Sequence, residues 1–225
     1  MLAARAAAEG VVAGDILIVA HKVVSKAEGR LVSLAQVRPG PAARRLAEET
    51  GKSPELCELI LSESARIVRR RGATLICETH HGFVCANAGI DSSNAPEGRV
   101  VLLPVDPDAS ARRLQARVAA AVGGRVGTIV IDTHGRAFRR GLVNVAIGVA
   151  GFAPILDHRG ERDRNGRVLV ATDQALADEL AAAAGVYLGK DAGTPAVIAS
   201  GVPTAPAPGG ARALLRDPEH DLFRT

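Results

Sequence analysis

Short apolar runs recur along this chain, and each is bounded by polar, proline or glycine residues. Three of them lie at 15–20, 99–104 and 126–131. Runs of this length between turn signals are typical of buried strands. Stretches with helical spacing lie between the strands, at 41–49, 54–71, 110–122 and 174–187. Because the two kinds of segment mix without regular βαβ repetition, the sequence predicts an α+β or a mixed α/β fold, and we expect α+β, with a mixed sheet and helices.

Further segments complete this outline. Residues 73–78, 167–171 and 195–200 are predicted strands, and 21–30 is predicted to turn at the end of the first strand. A tail rich in proline and glycine follows, and such a composition favours irregular structure. The expected division is one domain over 1–205 and a C-terminal tail over 206–225.

Composition limits both the core and the partners. Aromatic residues make up 2% of the chain and tryptophan is absent, so the core must be built from alanine, valine, leucine and isoleucine. The net charge is +4, but the arginines are spread among 24 acidic residues. This pattern does not predict a nucleic-acid interface, and a small anionic substrate suits a modest positive charge better.

The sequence also indicates a compartment. Its three cysteines have no paired spacing, so no disulfide framework is expected. The N-terminus lacks the apolar region of a signal peptide. The longest charge-free stretch, residues 141–156, is too short and too rich in glycine for a membrane helix. We therefore expect a soluble cytoplasmic protein without a membrane partner.

Familiar nucleotide and hydrolase motifs are missing. The chain has no G-x-x-x-x-G-K-[ST], G-x-G-x-x-G, H-E-x-x-H or G-x-S-x-G string. A nucleotide, if bound, must be held by another kind of loop.

The strongest candidate site is the segment Asp132–Arg136, which follows a predicted strand. Asp132 and Thr133 offer the oxygen ligands that Mg²⁺ or Mn²⁺ prefers. Three arginines nearby could neutralise phosphate oxygens; they are Arg136, Arg139 and Arg140. The alternative is a capping aspartate followed by a solvated basic loop.

Other segments are open to two readings. Gly89–Asn94 could bind metal and phosphate through Asp91, or could only form an Asx turn. Lys26, beside Ser25, either contacts phosphate or is an ordinary exposed lysine. His21 is either a core or a site residue. The loop 189–195 either closes over a ligand or ends a helix.

A cluster of cysteine and histidine comprises Cys77, His80, His81 and Cys85. Its spacing matches no standard zinc module, although zinc stays an alternative. His81 is better placed near substrate.

Four of these segments, in this order, resemble the F420-0:gamma-glutamyl ligase family (coenzyme F420:L-glutamate ligases). They are Val23–Arg30, Ala88–Asn94, Leu102–Ser110 and Asp132–Arg136. The resemblance covers roughly 12–203 and implies an unusual α+β fold in an intertwined homodimer. It also implies that an N-terminal segment with a Leu-Pro motif is missing here.

The resemblance implies a GTP-dependent acid–amino-acid ligase that adds L-glutamate to F420-0 through an acyl phosphate, with Mg²⁺ or Mn²⁺ and K⁺. Asp91, Asp132 and Thr133 would be metal ligands, and Asp132 and Arg136 would be catalytic. The implied nucleotide contacts are Lys26, His21, Asn94, Gly189, Lys190 and Gly193. Two alternatives stay open: a metal-dependent phosphohydrolase, and an inactive protein that binds nucleotide or deazaflavin.

Overall fold

The computed structural model describes residues 5–6, 8–189 and 193–221. The chain forms two compact units. The first contains residues up to Val19, Pro107–Ile131 and the chain from Asn144 on. The second contains Ala20–Asp106 and Asp132–Val143. The mixed α+β class expected from the sequence is confirmed.

The helices and strands are short. The helices are α1 His21–Ala27, α2 Pro41–Thr50, α3 Pro54–Ser62, α4 Pro107–Val122 and α5 Leu176–Leu188. The strands are β1 Ile16–Ala20, β2 Leu31–Ser33, β3 Ser64–Arg71, β4 Thr74–Thr79, β5 Val84–Ala86, β6 Arg99–Val101, β7 Gly127–Arg136, β8 Arg139–Ala150, β9 Leu156–Asp157, β10 Asp173–Gln174 and β11 Ala196–Ala199. Among the residues described, no helix has the length and apolar character needed to cross a bilayer.

The first unit is organised around a sheet in the order β11-β1-β7-β8. β1 runs antiparallel to β11, with Ile18 opposite Val197. Its buried side chains are mostly small and aliphatic, as the composition required, and Phe152 is the exception in size. A Cβ on Gly127 would lie 2.9 Å from the Phe152 ring, so glycine is needed there for close packing.

Asp108 ties distant parts of the first unit together. Its Oδ1 accepts hydrogen bonds from the backbone N–H groups of Val149 and Ala211, each at 2.8 Å. The sequence predicted that the segment around Asp108 would cap a helix beginning near Ser110. The helix begins earlier, at Pro107, because proline fits the first turn, where N–H groups have no partner inside the helix.

The second unit combines a β3-β4-β5 sheet with a β2-β6 ribbon. Its core is aliphatic and includes Leu46 of α2, Ile60 of α3 and Leu75 of β4. α3 begins where Ser53 Oγ accepts the N–H of Leu56 at 3.2 Å. Proline follows this cap, which is a common start for a helix.

The predicted helix over 54–71 is wrong in its second half. α3 ends at Ser62, and β3 begins at Ser64. β3 pairs with β4, and Arg71 lies opposite Thr74 across a turn containing Gly72 in a left-handed conformation. Helical spacing continued past Ser62, but pairing with β4 overrode this local pattern.

Other boundaries also differ from expectation. Residues 21–27 form helix α1 rather than a turn, and β6 ends at Val101 rather than at residue 104. Residues 167–171 form no regular strand, and Val168 forms an isolated bridge with Arg162. β7 continues to Arg136, so the segment Asp132–Arg136 lies within a strand and not after it. Its pairing with β8 carries the strand past the apolar run.

Candidate functional site

The Asp132 carboxylate lies in the second unit, and its side chain is only 11% exposed. The backbone N–H of Thr133 donates to Asp132 Oδ1 at 2.7 Å. His134 Nε2 lies 3.1 Å from Asp132 Oδ2 and hydrogen-bonds to it. Residues two apart in a strand point to the same face, which brings the side chains of Asp132 and His134 together. Each carboxylate oxygen therefore has its own donor.

A second imidazole approaches the same carboxylate from α1. His21 Nε2 lies 3.2 Å from Asp132 Oδ1. The two atoms are not oriented for a hydrogen bond, so this buried nitrogen has no hydrogen-bond partner among the described residues. On the other side of the ring, His21 Nδ1 lies 3.3 Å from the hydroxyl of Ser25, one helical turn further along. Both His21 and Ser25 are buried.

These contacts determine the charge of Asp132. Burial acts to raise the pKa of Asp132, but the contacts with His134 and His21 outweigh it and hold the pKa below its usual range. The thiol of Cys85 responds in the opposite direction. Burial, with a smaller effect from the negative charge of Asp132, raises the pKa of Cys85 to about 12. The site therefore keeps Asp132 ionised and Cys85 protonated at neutral pH.

Two lysines of α1 hold the segment Asp91–Asn94. Lys22 Nζ lies 2.5 Å from Asp91 Oδ2 and 2.5 Å from Ser93 Oγ. Lys26, one turn further along the helix, donates to the carbonyl oxygen of Asn94 at 2.5 Å. Within the segment, Ser93 donates to Asp91 through its backbone N–H and its hydroxyl, at 2.7 and 2.8 Å. The Asx turn predicted as one alternative is thus present.

Asp91 is less buried than Asp132, with 40% of its side chain exposed. Burial acts to raise the pKa of Asp91, but hydrogen bonds from Lys22 and Ser93 outweigh it and lower the pKa. Since Lys22 contacts Asp91 and the adjacent His21 contacts Asp132, the two carboxylates are both anchored to the first turn of α1. The structure thus brings Asp91, Asn94, Asp132, His21 and Lys26 to one helix.

The arginines after this segment lie in the β7–β8 hairpin. Arg136 Nη2 donates to the carbonyl of Arg140 at 2.8 Å across the hairpin. Arg136, Arg139 and Arg140 are exposed, as is Thr133. Exposed arginines in this position are free to contact an anionic ligand without first losing a buried partner.

The remaining predicted contacts belong to the first unit. Gly189 follows the end of α5 with a φ of 56°, and Gly193 has a φ of 65°. Both values are in the left-handed region that glycine adopts at low cost. Lys190, which lies between them, is outside the described residues.

The cysteines and histidines of the predicted cluster contact different partners. Cys77 of β4 lies opposite Cys85 of β5, and both thiols are free. His80 Nε2 is 3.0 Å from the carbonyl oxygen of Ser62, and His81 Nε2 is 3.0 Å from that of Pro104. A carbonyl oxygen can only accept a hydrogen bond, so the Nε2 atom of each histidine carries a proton.

The donor set fits a hard divalent cation. In the part of the chain that the structure describes, no group of three or more His, Cys, Asp or Glu could hold a metal. Mg²⁺, however, is commonly bound through one or two carboxylates, with water and substrate phosphates completing the shell. Each carboxylate oxygen can accept about two bonds, so Oδ2 of Asp132 and Oδ1 of Asp91 keep an acceptor site in addition to the contact described.

Sequence reasoning assigned no role to Lys22 or His134. Lys22 is four residues before Lys26, so a helical interpretation of 21–27 would have placed both on one face. His134 is two residues after Asp132, so extending the strand would have paired them. Both signals were present, but the predicted boundaries of α1 and β7 concealed them.

Comparisons with known proteins agree with the resemblance. A family model described as F420-0:Gamma-glutamyl ligase matches residues 1–201. A protein of Methanothermobacter thermautotrophicus named coenzyme F420:L-glutamate ligase is 49% identical over 219 residues, which cover 96% of this chain and 87% of that protein. A protein of Methanopyrus kandleri with the same name is 51% identical over 216 residues, covering 94% of this chain and 86% of its own length.

Proposed function

Because the chain belongs to the F420-0:gamma-glutamyl ligase family, we propose that it joins L-glutamate to F420-0. Family membership supports a ligase acting on small molecules, and the relatives of about half-identical sequence carry that activity in their names. The match over most of the chain is the observation on which this proposal depends. The anchoring of Asp91, Asp132 and Asn94 to one helix is consistent with a single site.

The proposed reaction has two steps. The γ-phosphoryl group of GTP is transferred to the carboxylate of F420-0, which gives an acyl phosphate and GDP. The amine of glutamate then attacks the acyl carbon, the amide bond forms, and phosphate leaves with its electron pair as the amine loses a proton. Phosphoryl transfer of this kind depends mainly on positioning and on neutralising charge. Repetition on the γ-carboxylate would extend the chain.

Residues of the second unit supply that positioning in the proposal. Lys26 and Asn94, already joined at 2.5 Å, would contact the nucleotide together with His21. Arg136, exposed in the β7–β8 hairpin, would neutralise phosphate oxygens. Gly189, Lys190 and Gly193 stay predicted nucleotide contacts.

A divalent cation, Mg²⁺ or Mn²⁺, would be held by Asp91, Asp132 and Thr133, with K⁺ as an additional cation. When bound, such a cation offsets the negative charge of the phosphate groups. Both carboxylates are ionised at neutral pH, which is the form of the side chain that binds a cation.

We also propose a homodimer. Large apolar side chains are exposed in each unit, including Phe138 and Leu142 in the second and Val186 and Tyr187 in the first. Exposed apolar side chains of this size are often covered by a partner. Light scattering coupled to size exclusion would measure the mass, and a single monomeric species at micromolar concentration would contradict the proposal.

The decisive experiment follows product mass. The purified protein is incubated with F420-0, L-glutamate, GTP and Mn²⁺, with reactions lacking glutamate or GTP as controls. We expect a mass gain of one or more glutamyl units that requires both co-substrates. Release of phosphate from GTP without glutamate transfer would instead favour a phosphohydrolase. Tight binding without turnover would favour an inactive binding protein.

A further inference from the structure

The carboxylate of Asp132 is held by two donors on two different oxygens. The Thr133 N–H binds Oδ1 at 2.7 Å and His134 Nε2 binds Oδ2 at 3.1 Å. One hydrogen bond would leave the carboxylate free to rotate about the bond to Cβ. Two bonds at opposite oxygens fix the plane of the group, so the remaining acceptor sites have a defined direction.

The two donors differ in how easily they can be removed. The N–H of Thr133 belongs to the backbone of β7 and is retained in every substitution except proline. The second donor, the imidazole of His134, can be removed by substitution. Among the residues that the structure describes, it is the one side chain that forms a hydrogen bond to Asp132. The orientation of Asp132 therefore depends on one replaceable residue.

The surroundings make this dependence large. The side chains of Asp132 and His134 are 11% and 13% exposed, so little water is available to replace the imidazole. His21, buried on the other side of the carboxylate, has no hydrogen bond from Nε2 to contribute. A buried carboxylate that loses a donor rearranges or attracts another partner, because unpaired polar groups are costly there.

We propose that His134 is a positioning residue, which orients the carboxylate of Asp132 so that it can bind a divalent cation. The inference rests on the proposed role of Asp132 in cation binding. Removal of a group that hydrogen-bonds to a metal ligand typically weakens metal binding by about 10- to 100-fold. The Asp–His contact contributes through geometry, and His134 itself touches neither substrate nor cation in this proposal.

The test measures Mn²⁺ binding to the nucleotide-free protein by the electron paramagnetic resonance signal of free Mn²⁺. We expect His134→Leu, which has no donor, to weaken binding by about 10- to 100-fold. His134→Gln places an amide N–H near the position of Nε2 and should restore most of the affinity. His134→Asn keeps a polar side chain that is too short, and it should bind as weakly as the leucine variant.

A matched control is available in the first unit. His158 Nδ1 lies 2.9 Å from Glu161 in an exposed histidine–carboxylate pair. His158→Leu removes a similar contact elsewhere and should leave Mn²⁺ binding unchanged. Circular dichroism compares the fold of all variants, and the asparagine variant serves if the leucine variant does not fold.

The activity assay gives a second readout. If His134 only positions Asp132, His134→Leu should require more Mn²⁺ for half-maximal glutamate transfer, while kcat at saturating Mn²⁺ changes little. A folded His134→Leu protein with unchanged Mn²⁺ affinity would overturn the inference, as would a glutamine variant no better than leucine. Absence of specific Mn²⁺ binding by the unsubstituted protein, both alone and with GTP present, would instead refute the proposed cation role of Asp132.

Discussion

Asp91 and Asp132 are both anchored to the first turn of α1, yet their surroundings differ. Asp91 is 40% exposed and contacts the ammonium group of Lys22. Asp132 is 11% exposed and lies beside two imidazoles and a backbone N–H. Dissolved ions screen the contact between Lys22 and Asp91 near the surface. The contacts of Asp132 are buried, so water cannot readily replace them. Substitution of Asp132 should therefore reduce activity more than substitution of Asp91.

The first and largest expected effect tests that ranking directly. Asp132→Asn keeps the shape of the side chain but removes its charge, and it should reduce glutamate transfer by about 100- to 1,000-fold. Asp91→Asn should reduce it by about 10- to 100-fold, because solvent and substrate oxygens can better replace a half-exposed ligand. Product formation under single-turnover conditions measures both. Equal losses would show that burial does not distinguish the two carboxylates.

A smaller effect is expected when the partner of Asp91 is removed. Lys22→Met loses both contacts to the segment Asp91–Asn94, and we expect the KM for GTP to rise by about 10-fold because the segment is less well ordered. Lys52→Met, at a lysine of the loop between α2 and α3, is the matched control. Steady-state kinetics at fixed F420-0 and Mn²⁺ give the values. A rise in the control variant of the same size would refute a specific role for Lys22.

Acid stability provides a third comparison. The pKa of Asp132 is lower in the folded protein than the value near 3.9 of an unfolded chain. The unfolded state therefore binds the proton more readily, so Asp132 stabilises the fold above about pH 4 and this stabilisation is lost as the pH falls through the native pKa. In EDTA, Asp132→Asn should flatten the decrease in unfolding free energy between pH 5 and pH 3. Urea titrations at several pH values measure it.

The same acid titration of Asp91→Asn separates the two sites. The pKa of Asp91 is also lowered, but greater exposure to solvent screens the contribution of its ion pair. We therefore expect its variant to remain closer to the unsubstituted protein at every pH. An Asp91→Asn profile flatter than that of Asp132→Asn would reverse the comparison.

The smallest expected effect uses Cys85 as a reporter of the charge on Asp132. With a pKa of about 12, the thiolate fraction of Cys85 at pH 8 is on the order of 0.0001. Iodoacetamide should therefore label Cys85 very slowly in the folded protein. Asp132→Asn removes a nearby negative charge and should speed the labelling several-fold, whereas Asp91→Asn should not. Peptide mass mapping gives the rates, and equal rates in both variants would contradict the coupling.

Contacts between residues close in sequence could be predicted, whereas contacts between distant residues could not. The Asx turn at Asp91 is formed within three residues, so its pattern was readable. The approach of His21 to Asp132 joins residues 111 positions apart, and no spacing rule predicts it. The resemblance identified the family because it compares whole motifs, and the choice of site segments and the roles of their residues stay predictions.

Strand pairing explains most of the errors in the fold. The segment Ser64–Arg71 satisfied a helical pattern and became a strand because β4 offered backbone partners. The same cause extended β7 beyond its apolar run to Arg136. Sequence patterns report burial well, but they do not report which neighbour is available for pairing. Predicted ends of elements were therefore less accurate than predicted elements.

The small aliphatic side chains that fill the first unit have an evolutionary consequence. Where burial is shared among many valines, isoleucines and leucines, exchanging valine for isoleucine removes or adds one carbon, and exchanging leucine for isoleucine conserves the volume. Such a core can change in sequence by small steps of this kind. The cluster around Asp132 has less freedom, since both oxygens of its carboxylate accept hydrogen bonds from specific donors, Thr133 and His134. Comparison of distant relatives should therefore find the sheet variable in detail and the polar cluster slow to change.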